Sequence, residues 1–153
     1  EIGVRLVGSE MCIRDSSIFV ENKPGRLAEI TSVLEKNNID IRALSIADTK
    51  DFGILRLIVN NPNVAESALK QAGYTVSLTQ VIAIGISDKP GGLAKAMSVL
   101  YSNHISVEYM YAFLSKSDDT AFVILRVENN EKAIEVLQNS GLQILESSSI
   151  YSM

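Results

Sequence analysis

Asn22-Lys23-Pro24-Gly25-Arg26-Leu27-Ala28 returns sixty-six residues later as Asp88-Lys89-Pro90-Gly91-Gly92-Leu93-Ala94. Each copy follows a short apolar run of period two (17–20 and 81–86) and precedes a run with helical spacing, which predicts a strand-to-helix turn at both places. Proline sets φ, glycine supplies freedom at the helix start, and the first N–H groups of the helix lack intrahelical partners. One such turn is better explained by a tight connection than by an anion cradle; two at matched positions strengthen the cradle reading.

Outward from the first turn, Leu27, Ile30, Val33 and Leu34 predict the inner face of a helix over 26–37, and Asn37-Asn38 ends it. Strands follow over 39–47 and 53–59. Asn61-Pro62 then opens a second helix with Ala65, Ala68, Leu69 and Ala72 inward, Gly73 stops it, and 74–79 close the unit. The second copy repeats the order: strand 81–86, helix 92–103, strands 105–114 and 122–128, helix 131–140 and strand 142–151. Residues 122–126 align with 52–56, and a longer hairpin turn lies at 115–119. The fold class is therefore α+β: two ferredoxin-like βαββαβ modules, 17–80 and 81–153, each an antiparallel sheet with its helices on one face. Alternation puts Leu55, Leu57 and Val59 under the helices. Ile54, Arg56, Ile58, Ile124, Arg126 and Glu128 fall on the opposite face, together with Leu44, Ile46 and Met110. That face is expected to pack against another sheet, with Arg56 and Arg126 paired to carboxylates.

Residues 1–16 stand outside the pattern. They have no counterpart upstream of the second copy, and the run 10–16 resembles translated adapter sequence. Subtracting sixty-six from Ile82, Ile84 and Ile86 gives Ser16, Ile18 and Val20, so Ser16 interrupts the apolar stripe. A non-native or disordered tail is expected there, which sets Cys12 aside and leaves neither a disulfide nor a cysteine-based metal cluster. A net charge of −4 over 153 residues gives no basic footprint for nucleic acid or anionic membrane, and no apolar run is long enough to span a bilayer. A cytoplasmic protein without metal or cofactor is expected.

The duplicated unit resembles a tandem pair of ACT domains, small regulatory modules that bind amino acids, over 17–153. In that family the turn after the first strand carries Asn or Asp, then Pro-Gly, then an aliphatic residue two further on. Asn22, Pro24, Gly25 and Leu27 fit in the first copy, and Asp88, Pro90, Gly91 and Leu93 in the second. A polar residue at the start of the second strand often completes the family's site, matching Asp40 and Ser106. The resemblance implies a free amino acid bound near a module boundary, a homodimer joined through a sheet face or edge, allosteric signalling, and an enzyme regulated in trans, since no catalytic domain accompanies the pair.

The residues support part of this independently. An amino acid needs both its charges matched on leaving water. Its carboxylate suits the open N–H groups of the turn helped by Lys23, Arg26 or Lys89, and its ammonium suits the Asn22 carbonyl, Asp40 or Asp88. Arg26 opposes the helix dipole unless it meets an anion. The second copy replaces it with Gly92, so the sites are not equivalent. Tyr109 and Tyr111 read either as ligand walls or as packing, and His104 as a helix cap. No nucleophile, base and orienting group assemble, so the chain does not read as an enzyme; Arg26 with Asn38 is a thin acylphosphatase-like alternative. The competing class is a ligand-free structural dimerisation module.

Overall fold

The computed structural model describes residues 11–48, 50–114 and 118–152. Its elements are β1 (Cys12–Glu21), α1 (Arg26–Lys36), β2 (Ile41–Asp48), β3 (Phe52–Val59), α2 (Pro62–Gln71), β4 (Thr75–Ser87), α3 (Gly92–Ser102), β5 (Val107–Ala112), β6 (Thr120–Val127), α4 (Asn130–Asn139), β7 (Gln143–Ile144) and α5 (Ser147–Tyr151). They divide into two compact units, one built on 14–79 and 151–152, the other on 11–13 and 80–150.

In the first unit the strand order is β2-β3-β1-β4, with 75–79 as its share of β4; in the second it is β5-β6-β4-β7. Both are the order of a split β-α-β module, and the β1·β3, β2·β3, β4·β6, β5·β6 and β4·β7 pairs are antiparallel. Ile18, Val20, Leu55, Leu57 and Val59 pack against Ile30 and Leu34 of α1 and Ala65 and Leu69 of α2. In the second unit Ile84, Ile86, Val123, Leu125 and Val127 meet Ala96, Leu100, Ala133 and Leu137 in the same way. Helix ends follow the sequence: Asn38 and His104 take positive φ (56° and 58°), as do Gly73 and Gly141 (96° and 84°).

Several expectations need correction. The two copies stay sixty-six residues apart only as far as β5; beyond the longer hairpin the offset is sixty-eight, since Asn61 and Asn129 both cap helices and Gly73 and Gly141 both end them. The counterpart of Arg56 is therefore Ile124, facing Ala83 as Arg56 faces Ser17, and residues 122–126 align with 54–58. Leu44, Ile46 and Met110 lie on the helix side, because they stand opposite Leu57, Leu55 and Leu125. A bulge between Ile41 and Ala43, repeated between Val107 and Tyr109, resets the alternation of these edge strands. Leu27 and Ala72 are exposed rather than inward. The expected strand over 142–151 is only Gln143–Ile144, after which Ser147–Tyr151 turns helical. Tyr111 is buried in the sheet, stacked on Tyr109 at 6.3 Å, which is packing and not a ligand wall. Arg126 makes the expected ion pair, with Glu108 at 3.4 Å, and also donates to the Gln80 carbonyl.

The strand β4 runs unbroken through Gln80, where a one-residue junction was expected. The first strand likewise begins at Cys12, so 12–16 extend β1 instead of lying outside it; residues 1–10 fall outside the described ones. The Arg14 N–H donates to the Tyr151 hydroxyl at 3.1 Å. Asp15 and Ser16 are the wholly buried polar residues among those described. Ser16 stands in line with Ile18 and Val20 opposite Leu57, its hydroxyl buried without a hydrogen bond where the second copy has Ile82. An unsatisfied buried hydroxyl costs about 1–3 kcal/mol. Ser16→Ala is therefore expected to raise stability by about 1 kcal/mol, seen as a higher urea midpoint at unchanged slope; a lower midpoint would show that the hydroxyl has a partner.

Candidate functional site

The first corner is clipped to the β2–β3 hairpin. The Asn22 N–H donates to the Asp51 carbonyl at 2.9 Å, and the Asn22 side-chain amide donates to the Lys50 carbonyl at 3.2 Å. Lys23 N–H folds back on the Glu21 carbonyl at 2.8 Å. Gly25 then takes φ +86°, a left-handed turn at the N-cap of α1, where an added Cβ would meet nothing within 4 Å. Because the cap is glycine, no side chain accepts from the first turn of α1, and the same holds for Gly91 and α3. The other two long helices differ: the Asn61 side chain accepts from Val64 N–H, and that of Asn129 from Lys132 N–H. The helix starts left without a cap are the two behind the Pro-Gly turns, and they point their partial positive charge at the corner.

Beside the first corner lies a recess of about 170 Å³ between the start of α1 and the end of β2. Val20, Leu27, Ile46 and Gly53 form its apolar side, and Glu21, Asn22, Lys23 and Arg26 its polar side. Leu27 is 46% exposed and Ile46 48%, so the wall is open to water. Lys23 and Glu21 pair at 2.8 Å, and Arg26 stands 3.6 Å from Glu29. The Lys23 ammonium, first through its hydrogen bond and then through its charge, holds the Glu21 carboxyl below the usual range, so the recess keeps an anion at its rim. Beside the Arg26–Glu29 pair, burial first and Glu29 second raise the Tyr74 phenol, which stays neutral at physiological pH.

The second corner keeps the frame and changes the lining. Asp88 N–H donates to the Asp119 carbonyl at 2.7 Å, and Gly91 has φ +94°. A Cβ on Gly92 would fall 1.9 Å from the Ser87 carbonyl oxygen, a contact no side chain survives. The adjoining hollow, about 590 Å³, opens toward Thr120 and Gln143 and carries Lys89, Pro90 and Lys95. Leu93 is not among its lining residues and packs on the core.

Asp40 and Ser106 are not brought to the corner of their own unit. Asp40 N–H donates to the Asn60 side-chain oxygen at 3.0 Å, and Asp40 pairs with Arg42. This is the Ile41–Val59 end of the ladder, whereas the corner is at the Asp48–Gly53 end; seven residues of strand separate them, about 20 Å. Ser106 lines another hollow, about 750 Å³, with His104, Arg126 and Asn130. There burial pushes the Cys12 thiol up, leaving it protonated and unreactive at neutral pH. Arg26 and Asn38 lie at opposite ends of α1, so no acylphosphatase-like pair forms. Sequence reasoning missed Glu21 and Ile46. Glu21 was legible as the charged neighbour of Asn22, while Ile46 was hidden by the bulge in β2. Among the described residues no group of three or more His, Cys, Asp or Glu is placed to hold a metal, and no helix is long and apolar enough to cross a membrane.

A family model described as an ACT domain pair matches residues 11–153. The crystal structure of protein BT0572 from Bacteroides thetaiotaomicron is 42% identical, covers 94% of this chain and 98% of its own, and superposes with a TM-score of 0.87. The regulatory subunit of aspartate kinase from Thermus thermophilus, in a ligand-free form, is 17% identical over 84% of this chain and 92% of its own, with a TM-score of 0.62. Aspartate kinase from Synechocystis is 18% identical over 89% of this chain and 27% of its own, with a TM-score of 0.60. A comparison with curated protein sequences found no match.

Two measurements check this geometry. Gly92→Ala is expected to destabilise the protein by about 1–3 kcal/mol through its clash with Ser87. Gly25→Ala should cost only left-handed strain, about 1–2 kcal/mol; equal midpoints with the parent protein in urea would contradict both. By carbon-detected NMR, the Glu21 carboxyl should titrate below the usual glutamate range and return to it in Lys23→Met.

Proposed function

The chain belongs to the ACT domain pair family, and from that premise we propose that it is a non-enzymatic, cytoplasmic sensor that binds a free amino acid at the corner between β1 and α1. The observation that carries the reading is the conjunction, at the first corner, of an uncapped helix start with a small recess holding both signs of charge. The ligand carboxylate would take the Leu27 and Ala28 N–H groups, the Arg26 N–H being turned to the Lys23 carbonyl, and the Arg26 guanidinium. Its ammonium would take Asn22 and the Glu21 carboxylate, and Pro24 and Gly25 hold the backbone open between them. In the second unit Asp88, Pro90, Gly91 and Gly92 would play the corresponding part, with weaker attraction for a carboxylate because Gly92 replaces Arg26. Leu93 packs partly buried on the core there, and Asp40 or Ser106 would contribute only to a corner other than that of their own unit.

A homodimer fits the same reading. Phe19, Phe52 and Ile54 share the sheet face away from the helices in the first unit, and the Phe19 and Phe52 rings lie 5.0 Å apart. Each is between 36% and 48% exposed, an apolar patch that a second copy would cover. This patch is also what favours the second reading, a dimerisation module without ligand. Under the sensor reading, a ligand that prefers one arrangement of modules shifts its population, and an enzyme acting in trans reads the shift.

Thermal unfolding of the full chain with each of the twenty amino acids separates the two. A ligand at a hundred times its dissociation constant should add about 2.7 kcal/mol, and the gain should vanish in Arg26→Ala. No shift with any amino acid would leave the dimerisation module. Phe19→Glu should lower the sedimentation mass from dimer to monomer; unchanged mass would place the dimer contact elsewhere.

A further inference from the structure

We propose that the corner of the first unit selects amino acids with an aliphatic side chain, and that the corner of the second unit does not share this selectivity. The inference rests on the reading that the first corner holds an amino acid. At about 170 Å³ the recess is smaller than the roughly 300–1,000 Å³ of sites for drug-sized molecules, so it admits one small ligand. Leu27, on the first turn of α1, and Ile46, on the edge strand β2, both line it with nearly half of each residue exposed, together with Val20 and the side-chain-free Gly53. A ligand whose charged end sits at Glu21, Asn22 and Arg26 would send its side chain between these two. There an aliphatic group removes apolar surface on both sides from water, whereas a charged or amide group would lose hydration with no partner in the wall.

The second corner keeps an aliphatic residue, Ile86, where Val20 stands, but changes most of the other parts. In register, Ala112 stands where Ile46 does, Ala121 where Gly53 does, Ser87 where Glu21 does and Gly92 where Arg26 does. Its hollow is wider, about 590 Å³, and sets Ile86, Pro90 and Leu142 beside Lys89, Lys95 and Thr120, with no pair matching Leu27 and Ile46.

The test is isothermal titration of the full chain with leucine, isoleucine, valine, alanine, serine, aspartate, lysine and phenylalanine. Leucine, isoleucine or valine should bind at least tenfold more tightly than alanine or serine, a ratio within what a few buried methyl groups give. Ile46→Ala, which copies the second corner, and separately Leu27→Ala, should each reduce that affinity about tenfold while leaving the circular dichroism spectrum unchanged. A polar or aromatic amino acid binding as tightly as the aliphatic ones would overturn the selectivity and leave the amino-acid sensor standing. Ile46→Ala that weakens self-association but not leucine binding would overturn it too, giving the recess to a second copy. Absence of binding by every amino acid would remove the sensor reading itself.

Discussion

Each module depends on one hydrogen bond that ties its corner to its hairpin: Asn22 N–H to the Asp51 carbonyl in one, Asp88 N–H to the Asp119 carbonyl in the other. The bond ends the first strand of the module at a fixed point and turns the chain out of the sheet. The left-handed glycine that follows then aims the next helix back across the core. Glycine serves this geometry but offers no side chain to cap the helix. The condition that makes the fold possible therefore also leaves exposed donors at the corner. In this molecule architecture and candidate chemistry share a cause.

Most of the fold was legible because the duplication supplied an internal control. The repeated Lys-Pro-Gly, the Asn-Pro and Asn-Asn helix boundaries and the apolar spacing of Ile30, Leu34, Leu69 and Leu100 each carry a local physical signal that survives into the packed core. What failed was phase. Two additional residues in the second hairpin move the whole of β6 against its counterpart, and aligning on the similar strings at Phe52 and Phe122 hid that shift behind an equal alternation. A bulge near Ile41 likewise reverses which residues of β2 face the helices, and no residue type there announces it. The serine run 147–149, read as part of a closing strand over 142–151, is instead the start of a short helix.

The candidate site was legible to a smaller extent. The corner residues follow from the motif, because the motif is the corner. The recess needs Ile46 and Gly53 from a hairpin some twenty-five residues on, and only the register of β2 and β3 brings them alongside Leu27. Asp40 is a different case: a polar residue at the start of a strand fits the family pattern, and its own backbone and side chain are engaged with Asn60 and Arg42 at the end of the sheet away from the corner of its own unit. Residue type suggested a place in the site, and strand direction separates it from that one corner.

The approach of Gly92 to the Ser87 carbonyl limits what the second corner can become. Where Arg26 stands in one copy, the other has closed its backbone so tightly that no single exchange can restore a cation without first rebuilding the turn. The two corners are therefore not interchangeable by point exchange: a cation can sit on the first helical residue of one half and not of the other.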